Sequence, residues 1–329
     1  MKLIIQIPCH NEASTLPVTL AELPRTVEGC DQVEILVIDD GSTDGTAEVA
    51  RRLGVHHVVS LGHHRGLAAA FRAGLEEAIR QGADVIVNTD GDNQYCGADI
   101  PKLVRPILEG QADLVIGARP IDSIQHFSFL KKRLQRLGTW VVRKVSHTDV
   151  QDAASGFRAL SREAAVRLNV FSSYTYTLET IIQAGLSNMR VLSVPVRTNA
   201  PLRESRLIRS IPSYINRSIL TMLRIFVLYK PLRFFVWVGG LVFAAGVLLG
   251  LRFVYYWALG QGSGKIQSLI LAAVLLLMGF QLGIAGLLSD LIATNRRILE
   301  ELQMDERMRR LSTQPAPAAT PDRGGRHRG

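Results

Sequence analysis

The sequence predicts an α/β fold, with a doubly wound and mostly parallel sheet, joined to a C-terminal membrane anchor. Three observations predict it. Short apolar runs suited to buried parallel strands alternate with helix-period segments up to about residue 200. Those runs end in loops rich in Asp, Gly, Ser and Thr, and open α/β sheets gather ligands at the carboxyl ends of their strands. The last third then carries two apolar stretches, each near the roughly 20 residues that a hydrocarbon core of about 30 Å requires.

Leu3 to Ile7 is the first strand, closed by Pro8. Cys9-His-Asn-Glu12 is the loop after it, and Ser14 or Thr15 can cap the helix that follows. Glu34 to Ile38 is the second strand, ending in Asp39-Asp-Gly-Ser-Thr-Asp-Gly-Thr46. That strand-to-helix loop suits a nucleotide, because its carboxylates can accept hydrogen bonds from a ribose or a base. Thr46 to Leu53 is helical and His56 to Ser60 is a third strand. Leu67 to Gln81 is a helix with Leu67, Phe71, Leu75 and Ala78 on one face. His56, His57, His63 and His64 form adjacent pairs instead of the i,i+4 pairs of a helical metal site, and read as ordinary surface or loop histidines.

Val85 to Val87 opens the stretch that the rest of the chain serves, closing on Asp90-Gly-Asp92 and then Gln94. Two carboxylates flanking a glycine can be aimed at one point, and hard oxygen donors at that spacing suit Mg²⁺ or Mn²⁺. A solvated turn is the competing reading, since turns favour the same residue types. Ile100 to Glu109 is a helix with Pro101 in its first turn. Leu114 to Gly117 is a strand leading to Arg119, placed either to neutralise a phosphate or to form a salt bridge. Phe129 to Arg136 puts four cations on a helix, Asp152 to Arg158 is a polar loop headed by an acid, Thr177 to Ala184 is helical, and Arg190 to Val196 is the last strand.

Beyond it, Ser210 to Tyr229 reads as a helix ended by Pro231. Ile211, Ile215, Ile219, Met222 and Phe226 form one stripe, and Ser213, Arg217, Thr221 and Arg224 the opposite one. That is the pattern of an interfacial membrane helix, with packing on the preceding domain as the alternative. Phe234 to Leu251 and Leu269 to Leu288 are apolar and read as transmembrane helices over about 234–258 and 267–289. Tyr255, Tyr256 and Trp257 fit an interface belt beside Arg252. Cations crowd both outer flanks (Arg224, Lys230, Arg233; Arg296, Arg297, Arg307), while the 260–265 loop has one. The positive-inside rule therefore expects both termini in the cytoplasm. From Ser312 the composition reads as a disordered tail. The expected division is 1–206 for the α/β domain, 207–232 for the amphipathic segment, 233–292 for the hairpin and 293–329 for a helix end and tail.

Charge is distributed unevenly. Residues 1–200 carry 21 Lys+Arg against 22 Asp+Glu, and residues 201–329 carry 17 against 7. A nucleic-acid binder would concentrate cations on the folded domain, so the excess points to an anionic membrane surface and not to nucleic acid. The cysteines Cys9, Cys30 and Cys96 are odd in number and scattered, without CxxC spacing, so neither a disulfide framework nor a zinc site is indicated.

As an ordered set, Ile7-Pro-Cys-His-Asn-Glu12, Val37-Ile-Asp-Asp-Gly-Ser42, Asp90-Gly-Asp92 with Gln94, Gly117-Ala-Arg119, Asp152-Ala-Ala-Ser-Gly-Phe-Arg158 and Ser205-Arg206 resemble the family 2 glycosyltransferases of GT-A fold, in particular those acting on polyprenyl phosphates. The resemblance covers about residues 1–206. It implies a nucleotide sugar, UDP- or GDP-linked, held by Pro8, Asn11, Glu12, Asp39, Asp40, Asp90 and Gly91. It implies a divalent ion on Asp90, Asp92 and Gln94, with Asp92, Arg119 and Asp152 as catalytic residues. A lipid phosphate would meet Arg119, Arg133, Ser205 and Arg206. Asp-Gly-Asp stands for the family's usual Asp-Ala-Asp, Arg203-Glu-Ser-Arg206 for Gly-Glu-Ser-Lys, and His64 for an asparagine. The implied partners are membrane lipids besides the two substrates, and a homo-oligomer is compatible with the resemblance.

The residues agree with this chemistry. A divalent ion stabilises the charge on a departing nucleoside diphosphate. An acceptor phosphate, already anionic, needs positioning cations more than a base. Transfer to a sugar hydroxyl would need a base, for which Asp152 is the candidate. A non-enzymatic membrane protein built on the hairpin is a third reading, weakened by the lack of an intramembrane acid.

Overall fold

The computed structural model describes residues 1–120, 129–168, 176–200, 229–260 and 266–313, with 220, 224 and 227 as single positions. Ser205 and Arg206, nearly all of the amphipathic segment, the 261–265 loop and the tail from residue 314 lie outside the described residues. The chain divides into two compact units, Met1–Leu207 with Met304–Gly329, and Ile208–Gln303.

In the first unit, seven strands form one sheet: β1 (Lys2–Cys9), β2 (Gln32–Asp39), β3 (His57–Ser60), β4 (Val85–Asn88), β5 (Leu114–Ala118), β6 (Arg158–Ser161) and β7 (Val191–Pro195). Their order is β3-β2-β1-β4-β6-β5-β7, with every pair parallel except those made by β6. The mostly parallel α/β fold is as expected; β6 is an addition to it. Between the strands run α1 (Leu16–Glu22), α2 (Thr46–Arg52), α3 (Leu67–Arg80), α4 (Ile100–Leu108), α5 (Phe129–Ser146), α6 (Arg162–Arg167) and α7 (Thr177–Leu186).

The alternation of β1 explains its two faces. Leu3, Ile5 and Ile7 are fully buried in one core with Leu16, Leu20, Leu103 and Val104 from α1 and α4. Ile4 and Gln6 turn the other way, where a Cβ on Gly74 of α3 would stand 2.5 Å from Gln6 Oε1. The first strand does not close at Pro8, as the sequence led us to expect; it runs through it to Cys9. Gln6 O accepts from Thr89 N, whereas Cys9 O accepts from Asp40 N. Even positions therefore bond toward β4, and β4 has ended at Asn88, opposite Gln6. The missing N–H of proline falls where no ladder partner remains, which is how a central strand tolerates it.

After the sheet come two long helices, α8 (Pro231–Ala258) and α9 (Ile266–Thr313), which the second unit holds as far as Gln303. Pro231–Ala258 and Ile266–Arg296 each have a mean hydropathy of 2.3 over their most apolar window and are candidate membrane spans. Their backbones approach closely at glycines: a Cβ on Gly239 would lie 2.9 Å from Gly279 O. Small residues at such a crossing allow van der Waals packing where lipid offers no hydrophobic drive.

Candidate active site

The site forms where β1, β2, β4 and β5 end on one edge of the sheet. The loops after β1 and β2 are stitched together by side chains. Asn11, in the left-handed region at φ 56°, donates its N–H to Ser42 Oγ (2.9 Å), and its Oδ1 accepts from Thr43 N (2.8 Å). Glu12 N donates to Thr46 Oγ1 (2.9 Å), and Asp44 accepts from Ala13 N (3.0 Å). Asp39 accepts from Ser42 N and Ser60 Oγ, both at 3.1 Å. Asp40 accepts from Arg65 N (2.7 Å) and Gly66 N (2.9 Å), fixing the loop that starts α3. Asp39, Asp40 and Glu12 are buried, so these carboxylates shape the edge as well as line it.

The β4 loop carries the paired carboxylates. The hydroxyls of Thr15 and Thr19 reach Gly91 O at 2.9 and 3.1 Å, tying the loop to α1. Asp92 Oδ1 accepts from Gln94 N (3.1 Å), and Asn93 takes a left-handed φ of 58° immediately after it. Asp90 is half-buried. Its enclosure by protein and the Asp92 carboxylate push its pKa up to about 7, against the opposing pull of Arg119 and Arg158. Two carboxylates that resist simultaneous ionisation are what a divalent cation would relieve, and the donor set of two carboxylates with an amide suits a hard ion.

Arg119 and Asp152 pair through two bonds: Nε donates to Oδ2 (2.6 Å) and Nη2 to Oδ1 (3.1 Å). Asp152 is fully buried and also accepts from Gln135 Nε2 (3.3 Å) and Ala154 N (3.2 Å). Of the two readings open for Arg119, the described geometry contains the salt bridge. The same helix that brings Gln135 to Asp152 leaves Arg133 exposed on α5.

Several residues to which the sequence reading gave no role complete the floor. Tyr95 OH accepts from Gly156 N (3.0 Å), its ring stacks on Phe157 at 5.0 Å, and the Arg119 guanidinium lies 5.9 Å from its centroid. Asn88 Nδ2 donates to Gly156 O (2.8 Å) and lies 2.9 Å from Tyr176 OH, while Asn88 Oδ1 accepts from Gln6 (2.9 Å). A Cβ on Gly156 would stand 3.0 Å from Asp90 Oδ1 and from Tyr176 OH, so glycine lets the 152–158 loop lie close against Asp90. Arg158 is wholly buried, donating to Ser155 O, Thr177 O and Thr180 Oγ1, with its Nε unpaired. Chain continuity offered a signal for Asn88 and Tyr95, which flank the Asp90–Gln94 motif, and for Arg158, which closes the Asp152 motif; Tyr176 had none.

A description of glycosyl transferase family 2 matches residues 4–168. A glycosyltransferase of Haloferax volcanii, AglJ, is 30% identical over 89% of this chain and 94% of its own length. The chain belongs to glycosyl transferase family 2. This glycosyltransferase is also similar to the polyprenol monophosphomannose synthase of Mycolicibacterium smegmatis, 28% identical over 59% of this chain and 76% of that one. The undecaprenyl-phosphate mannosyltransferase of Micrococcus luteus is likewise 28% identical, over 60% and 83%. Among solved structures, glucosyl-3-phosphoglycerate synthase of Mycobacterium tuberculosis, in complex with Mn²⁺, UDP and its product, shares the fold: TM-score 0.52, 22% identity, 69% of this chain and 78% of that one.

Proposed function

We propose that this glycosyltransferase moves a sugar from a nucleotide sugar to a polyprenyl phosphate at the cytoplasmic membrane face, with inversion at the anomeric carbon. The observation that carries the choice of acceptor is the Arg119–Asp152 pair. A hydroxyl acceptor needs a base, and the carboxylate placed to serve as one is buried with both oxygens engaged. A phosphate acceptor needs none and needs a fixed cation, which the same pair supplies as Arg119. The relatives named for polyprenol and undecaprenyl phosphate support this reading.

In this proposal Asp90, Asp92 and Gln94 hold Mg²⁺ or Mn²⁺, which would stabilise the departing diphosphate. Pro8, Asn11, Glu12, Asp39, Asp40 and Gly91 shape the donor edge. Arg119 positions the acceptor phosphate, and Arg133, Ser205 and Arg206 add to the acceptor side. Asp152 orients Arg119. Since nucleophile and leaving group are both anionic, catalysis rests on orientation and charge stabilisation. The candidate spans α8 and α9 would keep the enzyme on the membrane where its lipid acceptor resides.

Membranes containing the full chain, given UDP- and GDP-linked sugars with undecaprenyl or dolichyl phosphate, should form a lipid-linked sugar that EDTA abolishes. Transfer only to sugar hydroxyls would replace this proposal with the base-catalysed alternative.

A further inference from the structure

Three loops, following β1, β2 and β3, bring His10, Asp40 and His64 together, with one ligand atom of each within 4.8 Å of the others. The imidazoles lie against each other, centroids 4.1 Å apart and tilted by 32°. His10 Nδ1 is 2.8 Å from Asp40 O. A carbonyl only accepts, so the neutral ring carries its proton on Nδ1 and a lone pair on Nε2. Asn11 Nδ2, a donor, stands 3.4 Å from that Nε2, in agreement. His64 Nδ1 is 2.9 Å from Asp40 Oδ2. Metal-binding imidazoles are commonly held as His10 is, with the far ring nitrogen bonded to a carbonyl or a carboxylate.

The scaffold is rigid. Asp40 is buried and anchored by two backbone N–H groups, and Gly41, at φ 65°, would place a Cβ 2.4–2.5 Å from the backbone of His63 and His64. Two donors on one tetrahedral ion, each about 2.0–2.1 Å from it, stand about 3.3 Å apart. The Nδ1–Oδ2 distance is thus near what a shared ion needs, and a turn of the exposed His64 about χ1 would supply the rest. His56 and His57 are different: they are ordinary partners of Ile35 N and Glu34, as the sequence led us to expect.

We propose that His10, Asp40 and His64 form a second cation site, chemically distinct from Asp90 and Asp92, that takes Zn²⁺ or a similar borderline ion and blocks the donor edge. Imidazole nitrogens select such ions, whereas Mg²⁺ and Mn²⁺ prefer all-oxygen sets. The ion replaces the hydrogen between His64 and Asp40, the ring proton moving to Nε2. The blocking effect rests on the proposed donor role of Asp40; the binding itself does not.

The test uses the full chain in detergent without nucleotide, titrated with Zn²⁺ by calorimetry and with Co²⁺ by its visible bands. One ion should bind the wild type and the Asp90→Asn variant alike, and His64→Asn or His10→Asn should weaken it by more than about tenfold. His64 is exposed, so its variant is expected to fold, and thermal melting checks this. In Mg²⁺-supported assays Zn²⁺ should inhibit competitively with the nucleotide sugar, with the inhibition relieved in the same two variants. Equal binding in wild type and histidine variants, or no binding in any, overturns the site. Binding that needs both histidines but does not compete with the donor keeps the site and overturns the donor role of Asp40.

Discussion

The carboxylate of Asp90 stands where opposing charges compete, and its behaviour with pH follows. Its pKa of about 7 in the fold exceeds the ordinary 3.8, so between those values the folded protein holds a proton that the unfolded chain releases. Stability without metal is therefore lost as pH rises through that window. A bound cation replaces the proton. The rise in Tm given by Mn²⁺ should be small at pH 6 and larger at pH 8, a dependence that calorimetry can follow. Asp90→Asn removes the repulsion with Asp92 and the proposed metal ligand together. It should leave the metal-free Tm at pH 8 equal or higher, while turnover falls on the order of 100-fold, about 2.7 kcal/mol of transition-state stabilisation. Retained turnover would remove Asp90 from the metal site.

The loop after β4 and the chain after β7 are clasped together. Arg197 donates from N (2.7 Å) and from its guanidinium (2.8 Å) to the buried Asp99, and Asn199 N donates to Gln94 O (2.9 Å). Glu22 joins both sides, accepting from Asn93 Nδ2 (3.0 Å) and Asn199 Nδ2 (2.7 Å). Burial works against charge on Asp99, but the Arg197 and Lys102 bonds prevail and hold it near 2. Asp99→Ala should cost about 2 kcal/mol by chemical denaturation, from lost bonds to a charged group. Glu22→Ala should instead weaken Mn²⁺ binding several-fold with little change in Tm, because its carboxylate orients the residue after Asp92. These bonds were not legible in the sequence, since Glu22, Asn93 and Asn199 meet only through tertiary structure. The same holds for β6: Arg158–Ser161 opens with a buried arginine and ends in serine, so no apolar run marks a strand. The buried apolar runs of β1, β2, β4 and β5 did mark themselves, as did the acid pairs that follow β2 and β4.

For the whole molecule, charge asymmetry and hydropathy distinguish a near-neutral stretch over residues 1–200 from a basic one after it, and the two apolar runs there coincide with the candidate spans. The spacing rule applied to histidines saw only neighbours in sequence and missed the meeting of His10 with His64 across two loops. Orientation in the membrane remains an expectation from the flanking cations. A Ser263→Cys change in a cysteine-free background should be labelled by an impermeant thiol reagent in intact cells. Labelling only after the cells are opened would reverse the topology.

The central claim is that a phosphate, not a hydroxyl, is the nucleophile. The most direct measurement is ³¹P NMR of purified enzyme turning over a short polyprenyl phosphate with its nucleotide sugar and Mg²⁺. The account predicts that the acceptor's phosphomonoester signal is replaced by a phosphodiester, with the anomeric configuration opposite to that of the donor. An unchanged monoester signal while sugar is transferred to a hydroxyl, or a diester with the donor's configuration retained, would contradict it.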